Sequence, residues 1–197
     1  LLATAARFSQ VSFDSVLKLV WHIEMAFHAE AVMRNDIPSE IHLVSRPDCF
    51  DQEVYNHVNM GSIAHEVGHF VTLKDGRGIR ARFREAYFRE FSGDYKGYFR
   101  HTEYLADNFA ARVYNPQGIL ECLRLYSRIY GDKSSKMHPA YSERIYALEK
   151  GLYTTELDRV LAARREGSFV TWEDYVINKR SCVALEEEAV KGAAANK

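Results

Sequence analysis

The chain has 197 residues, with 26 Lys and Arg set against 27 Asp and Glu for a formal net charge of −1. That length suffices for one domain with a real core, and the near-zero charge carries no global signal for nucleic acid or a membrane surface. No apolar run approaches the roughly 18–20 residues that a bilayer crossing needs, so no transmembrane segment is expected. The start, L-L-A-T-A-A-R, has no basic stretch followed by an apolar one, so no signal peptide is expected either. Cys49, Cys122 and Cys182 are far apart and form no C-x-x-C, which argues against a disulfide framework and against a thiolate zinc site. The expectation is a soluble, cytoplasmic protein with packed, reduced thiols. A secreted protein with one disulfide is the other reading.

Residues 12–34 place Phe13, Val16, Leu17, Val20, Trp21, Ile23, Met25, Phe27 and Val32 at helical spacing, with Ser12 or Asp14 as a cap. A helix is expected there, and His22 and His28 within it read as core or boundary residues. Asn35-Asp36-Ile37-Pro38 ends it. Residues 40–45 alternate as a short strand closed by Pro47. Two readings stay open for this strand: one along a cleft that pairs with extended substrate, or a short edge strand without a role. Residues 48–60 read as loop or short helix.

Residues 62–72 read S-I-A-H-E-V-G-H-F-V-T and contain the most informative motif, His65-Glu66-Val67-Gly68-His69. Residues four apart on a helix lie on one face, so His65 and His69 can aim two imidazoles at one metal ion. Glu66 can reach a water on that ion. Two ligands and a general base within five residues is the arrangement of a zinc protease. Ile63, Ala64, Val67, Phe70 and Val71 supply apolar positions at helical spacing, which places the histidines on a mostly buried helix. Gly68 weakens the helix but suits close packing beside a metal. The competing reading is a pair of surface histidines beside a glutamate.

Residues 74–78 stop this helix. Residues 79–100 interleave basic and aromatic side chains, a pattern also seen in single-strand nucleic-acid binders and interfacial segments. Glu85, Glu90 and Asp94 interrupt the charge, so a solvated helix and a flap over the cleft are expected, without a strong nucleic-acid signal. A helix over 102–114 follows, with Thr102 as its N-cap. Asn115-Pro116-Gln117-Gly118 breaks it, and further helices are expected over 119–130, 139–148 with Gly151 after it, 155–166 and 171–190. The tail 191–197 is expected to fray. The chain thus reads as mainly α (α+β), one domain over 1–197, with C-terminal helices 154–190 packed on it and a small edge sheet.

A hydrolytic zinc site takes three protein ligands and keeps one position open. Glu103 is the best candidate for the third, at the start of a helix with small residues on one face. The competing reading is a first-turn acid favoured by the helix dipole. Asp107, four residues on, shares the face of Glu103 and can accept a hydrogen bond from a histidine ligand, fixing its tautomer.

H-E-x-x-H followed by Glu103-Tyr104-Leu105-Ala106-Asp107, with Ala110, resembles the gluzincins. It is most similar to the CAAX-prenyl endopeptidases, the heat-shock membrane endopeptidases and their small soluble relatives, the minimal gluzincins. Met137-His138-Pro139-Ala140-Tyr141-Ser142-Glu143-Arg144-Ile145 is similar to the H-P-x-x-x-E-R-I segment of that family. The resemblance covers roughly residues 62–148. It implies a zincin-like fold, Zn2+ held by His65, His69 and Glu103, Glu66 as the base, Asp107 supporting a histidine ligand, and His138 approaching the cleft to steady an oxyanion. His138 has a plainer alternative as a loop residue before a helix opened by Pro139.

The function expected is that of a zinc-dependent endopeptidase acting on a protein or peptide substrate, with a zinc-activated water and Glu66 as general base. A tyrosine from the flap is a second candidate for the oxyanion donor. Two other classes compete. A di-iron bundle needs a second E-x-x-H, and the chain has none. A non-catalytic metal-binding or interaction module on a protease-like fold is opposed by the intact base and ligand set.

Overall fold

The computed structural model describes residues 18–23, 28–34, 37–45, 52–72, 94–135, 138–165 and 172–196. Lys18–Ile23 (β1) and His28–Arg34 (β2) are strands, which corrects at those residues the helix expected over 12–34; residues 12–17 and 24–27 lie outside the described residues. The sequence of β1, K-L-V-W-H-I, is rich in apolar, β-branched and aromatic residues. That of β2 holds Ala, Glu and Met, good helix formers whose local preference yields to strand pairing. The third strand, Ile37–Ser45 (β3), contains the predicted 40–45 and extends it backward through Pro38.

The strand order is β1-β3-β2, with β1 parallel and β2 antiparallel to β3. β3 is therefore the middle strand of the three, not an edge strand. Pro38 cannot donate a ladder hydrogen bond, and its position accommodates this. Pairing with β1 begins only at Glu40, and β2 carries a register irregularity between Val32 and Met33, opposite Pro38.

Six helices follow, so the described residues are mainly α-helical. Gln52–Thr72 (α1) packs against β2 and β3 and against later helices. It begins well inside the stretch expected as loop or short helix. Asp94–Val113 (α2) starts eight residues before the expected cap. Thr102 is interior to it, its hydroxyl donating to the Phe99 carbonyl at 2.7 Å, as hydroxyls do inside helices. The last turns of the basic and aromatic segment thus belong to α2, with Tyr98 fully buried rather than on a flap. The rest of that segment, residues 79–93, lies outside the described residues.

Asn115 both ends α2 and starts Pro116–Tyr130 (α3). Its backbone is extended, its side chain accepts from the Gly118 N–H at 3.1 Å, and Pro116 fills the first helical position. Tyr141–Lys150 (α4) ends on Gly151, whose φ of 63° is the left-handed conformation that glycine reaches without strain. Thr154–Arg165 (α5) and Trp172–Ala195 (α6) complete the order.

The core joins Ala64, Val67 and Val71 of α1 to Leu105, Phe109 and Ala110 of α2. Ile119 and Leu123 of α3, Ala147 of α4, Leu157 and Leu161 of α5 and Ala189 of α6 close around them. Burial of each large side chain contributes about 1.5–3 kcal/mol. The tail expected to fray is helical through Ala195, and Ala193 is buried. Gly192 allows this, because a Cβ there would stand 2.0 Å from the Tyr146 ring of α4. Among the described residues, no helix is long and apolar enough to cross a membrane.

Candidate metal centre

The site begins with a close helix contact. A Cβ built on Gly68 of α1 would lie 2.8 Å from both the Cα and the carbonyl oxygen of Ala106 on α2. These are backbone atoms that cannot turn aside, so only glycine lets the two helices meet here. Glu103 precedes Ala106 by less than one turn, and the contact draws its carboxylate across to α1.

There the rings of His65 and His69 stand edge to face, 4.6 Å apart between centroids. His65 Nε2 is 3.4 Å from Glu103 Oε2, and His69 Nε2 is 3.3 Å from Glu103 Oε1. Each histidine thus presents the same nitrogen to a different oxygen of one carboxylate. A charge-assisted N–H···O bond is about 2.7–2.9 Å, so these are not close direct hydrogen bonds. Bonds of about 2.0–2.1 Å at tetrahedral angles around one cation put neighbouring nitrogen and oxygen ligands about 3.3 Å apart. The observed spacing matches that value. Glu66, also buried, completes a group with His65 and His69 whose ligand atoms all lie within 4.8 Å of one another.

The contact of His65 with Asp107 is different in kind. His65 Nδ1 and Asp107 Oδ1 are 2.8 Å apart, a direct hydrogen bond that leaves Nε2 facing Glu103. Arg144, on α4, anchors the acid from the other side. Its Nε donates to Asp107 Oδ2 and its Nη2 to Oδ1, both at 2.7 Å, while Nη1 lies 3.2 Å from Glu103 Oε2. Sequence reasoning quoted Arg144 within the His138 segment but gave it no role. The signal was its place in that segment; its partners depend on the packing of α4 against α2.

The electrostatics follow from this geometry. Burial would push both carboxyls up. For Glu103, the charges of His69 and Arg144 outweigh burial and hold it well below the usual carboxylate range. For Asp107, the Arg144 guanidinium does the same. Burial alone would depress His65, yet the hydrogen bond and charge of Asp107, with Glu103, raise it to about 10. Both acids are thus ionised and face cationic partners. His69 Nδ1 is buried and has no hydrogen-bond partner among the described residues.

His138 stands at the rim. Its side chain is 61% exposed, and its Nε2 is 3.7 Å from Glu103 Oε1. Its carbonyl accepts from Arg100 Nη1 at 3.3 Å, and its N–H donates to Ser135 Oγ at 2.9 Å. The structure thus brings His65, Glu66, His69, Glu103 and Asp107 together and sets His138 beside them. His22 and His28 fall on β1 and β2. Comparison with protein-family models, with curated proteins and with solved structures finds no match for this chain.

Proposed function

We propose that the protein is a zinc-dependent endopeptidase of gluzincin type, with a zincin-like domain built around α1. The observation that carries this reading is the sharing of one carboxylate, Glu103, by the Nε2 atoms of His65 and His69, with Glu66 buried next to them. Two imidazoles and a carboxylate are a hydrolytic zinc set, and they leave a coordination position open. Zinc bound there supplies Lewis acidity, making water a nucleophile near neutral pH and polarising a scissile carbonyl.

The chain's own residues do the rest. Glu66 takes the proton of the attacking water and returns it to the leaving amine. Asp107 holds His65 through Nδ1, and Arg144 holds Asp107 and Glu103. His138, at the rim, is placed to donate a hydrogen bond to the developing oxyanion of a peptide substrate.

The test pairs metal analysis with cleavage of casein or a peptide library. Wild type is expected to cleave, to stop on chelation, and to recover with zinc. Glu66→Gln is expected to retain the metal and lose activity by about 10²–10⁴-fold, the usual contribution of a general base. Undiminished cleavage by that variant, or by metal-free protein, would overturn the proposal.

A further inference from the structure

Away from this site, the described residues hold a second convergence of metal-ligating atoms that the proposed hydrolysis does not use. His101 of α2, Glu156 of α5 and Cys182 of α6 place their ligand atoms within 4.8 Å of one another. His101 Nε2 is 3.5 Å from Glu156 Oε1 and 3.8 Å from Cys182 Sγ. His101 and Cys182 are only 4% and 3% exposed.

Cysteine, histidine and an acid together suggest a nucleophile, a base and an orienting group. That chain needs both ring nitrogens, one for the nucleophile and one for the acid. Here both partners face the same nitrogen, so the three groups point at a common centre rather than along a relay. Zinc bonds of about 2.3 Å to sulfur and about 2.0–2.1 Å to nitrogen and oxygen, at tetrahedral angles, separate sulfur from nitrogen by about 3.5 Å and nitrogen from oxygen by about 3.3 Å. The observed separations exceed these by only a few tenths of an ångström. The distance from His101 to Glu156 is also longer than a charge-assisted hydrogen bond.

Arg159 competes for the acid, donating to Glu156 from Nε at 2.9 Å and from Nη2 at 2.6 Å. It offsets one charge. Burial pushes the Cys182 thiol up to about 12, so a cation gains its thiolate partner by displacing that proton, as metal binding to cysteine does. Sulfur and imidazole donors select a borderline-soft ion such as zinc over magnesium or calcium.

We propose that His101, Glu156 and Cys182 form a second zinc site, with three protein ligands, that clamps α5 and α6 to α2. Such a site would run against the expectation that no cysteine serves as a zinc thiolate. His101 precedes Glu103 by two residues, about 200° around the helix. The clamp therefore grips the face of α2 opposite the one that carries Glu103.

The experiment uses the whole 197-residue chain, stripped of metal and titrated with cobalt, with bound metal counted by mass spectrometry. Thiolate ligation gives a sulfur-to-cobalt charge-transfer band in the near ultraviolet. Wild type is expected to bind two equivalents and show the band. The double variant His65→Ala/His69→Ala is expected to bind one and keep the band, and Cys122→Ser to keep it too. Cys182→Ser, a near-isosteric change, is expected to lose it, as is His101→Gln. One equivalent with the band in wild type supports this site while counting against the first. A wild type without the band, or a band that survives in Cys182→Ser, overturns the proposal.

Discussion

The His65 cluster sets His65, Glu66 and His69 of one helical turn against Glu103 of the next helix, whereas the His101 cluster draws each of its three groups from a different helix. Both have a histidine nitrogen facing an acid at 3.3–3.5 Å across a buried gap. They differ in what stabilises the acid. Glu103 is held by two imidazoles and by Arg144, a buried cation that also clamps Asp107. Glu156 is held by one imidazole and by a partly exposed Arg159. The first cluster is thus braced from behind by a second ion pair, whereas the second depends on the packing of three helices.

The largest effect expected on stability comes from removing that brace. Arg144→Met leaves the buried Asp107 and Glu103 with only the imidazoles of His65 and His69 as partners and should cost about 3–5 kcal/mol in denaturant unfolding. It should also weaken metal binding at the first cluster by about 10–100-fold and leave the thiolate band of the second intact. A loss below about 1 kcal/mol would mean that the brace is ornamental.

Gly68→Ala comes next. Its gain in helix propensity is about 1 kcal/mol, but the new Cβ meets backbone, and overpacking costs about 1–3 kcal/mol. A net fall in melting temperature is expected, with metal lost from the first cluster alone. A rise would show that the helices can part without disturbing the site.

For the second cluster the probe is pH, applied to metal-free protein. Burial alone would raise Glu156, but its partners His101 and Arg159 outweigh it and hold it down at about 2, against 4.5 ordinarily. A carboxyl lowered on folding stabilises the folded state above its unfolded pKa, and that contribution is lost as pH falls through the folded one. Glu156→Gln should therefore flatten the dependence of stability on pH between about 4.5 and 2. An unchanged acid limb would argue that the His101 contact is weak.

The smallest effect expected serves as a control. Asn115→Ala removes the cap of α3 and should cost about 1 kcal/mol without altering metal binding at either cluster. A change in metal content would mean that both report global stability rather than local geometry.

The motif His65-Glu66-Val67-Gly68-His69 was legible because a helix converts a spacing of four into one face. Asp107 was legible by the same rule relative to Glu103. The first two strands were not, because His28–Arg34 carries helix-forming residues and becomes a strand only by pairing with β3. The start of α2 was missed because Thr102 has the chemistry of a cap but spends its hydroxyl on the Phe99 carbonyl. Nor did composition reveal that Ala193 is buried, since only a neighbouring Tyr146 gives Gly192 its purpose.

What the sequence determined by itself is therefore what lies within a turn or two of helix: the paired imidazoles, the glutamate between them, the acid pair on the following helix, and the breaks at Asn115 and Gly151. Only the tertiary structure decided that Glu103 faces both imidazoles, that Arg144 reaches Asp107, and that His101 meets Glu156 and Cys182. Local periodicity fixes which residues share a face, but which faces meet depends on helix contacts such as Gly68 against Ala106, where the deciding quantity is the room left by an absent side chain.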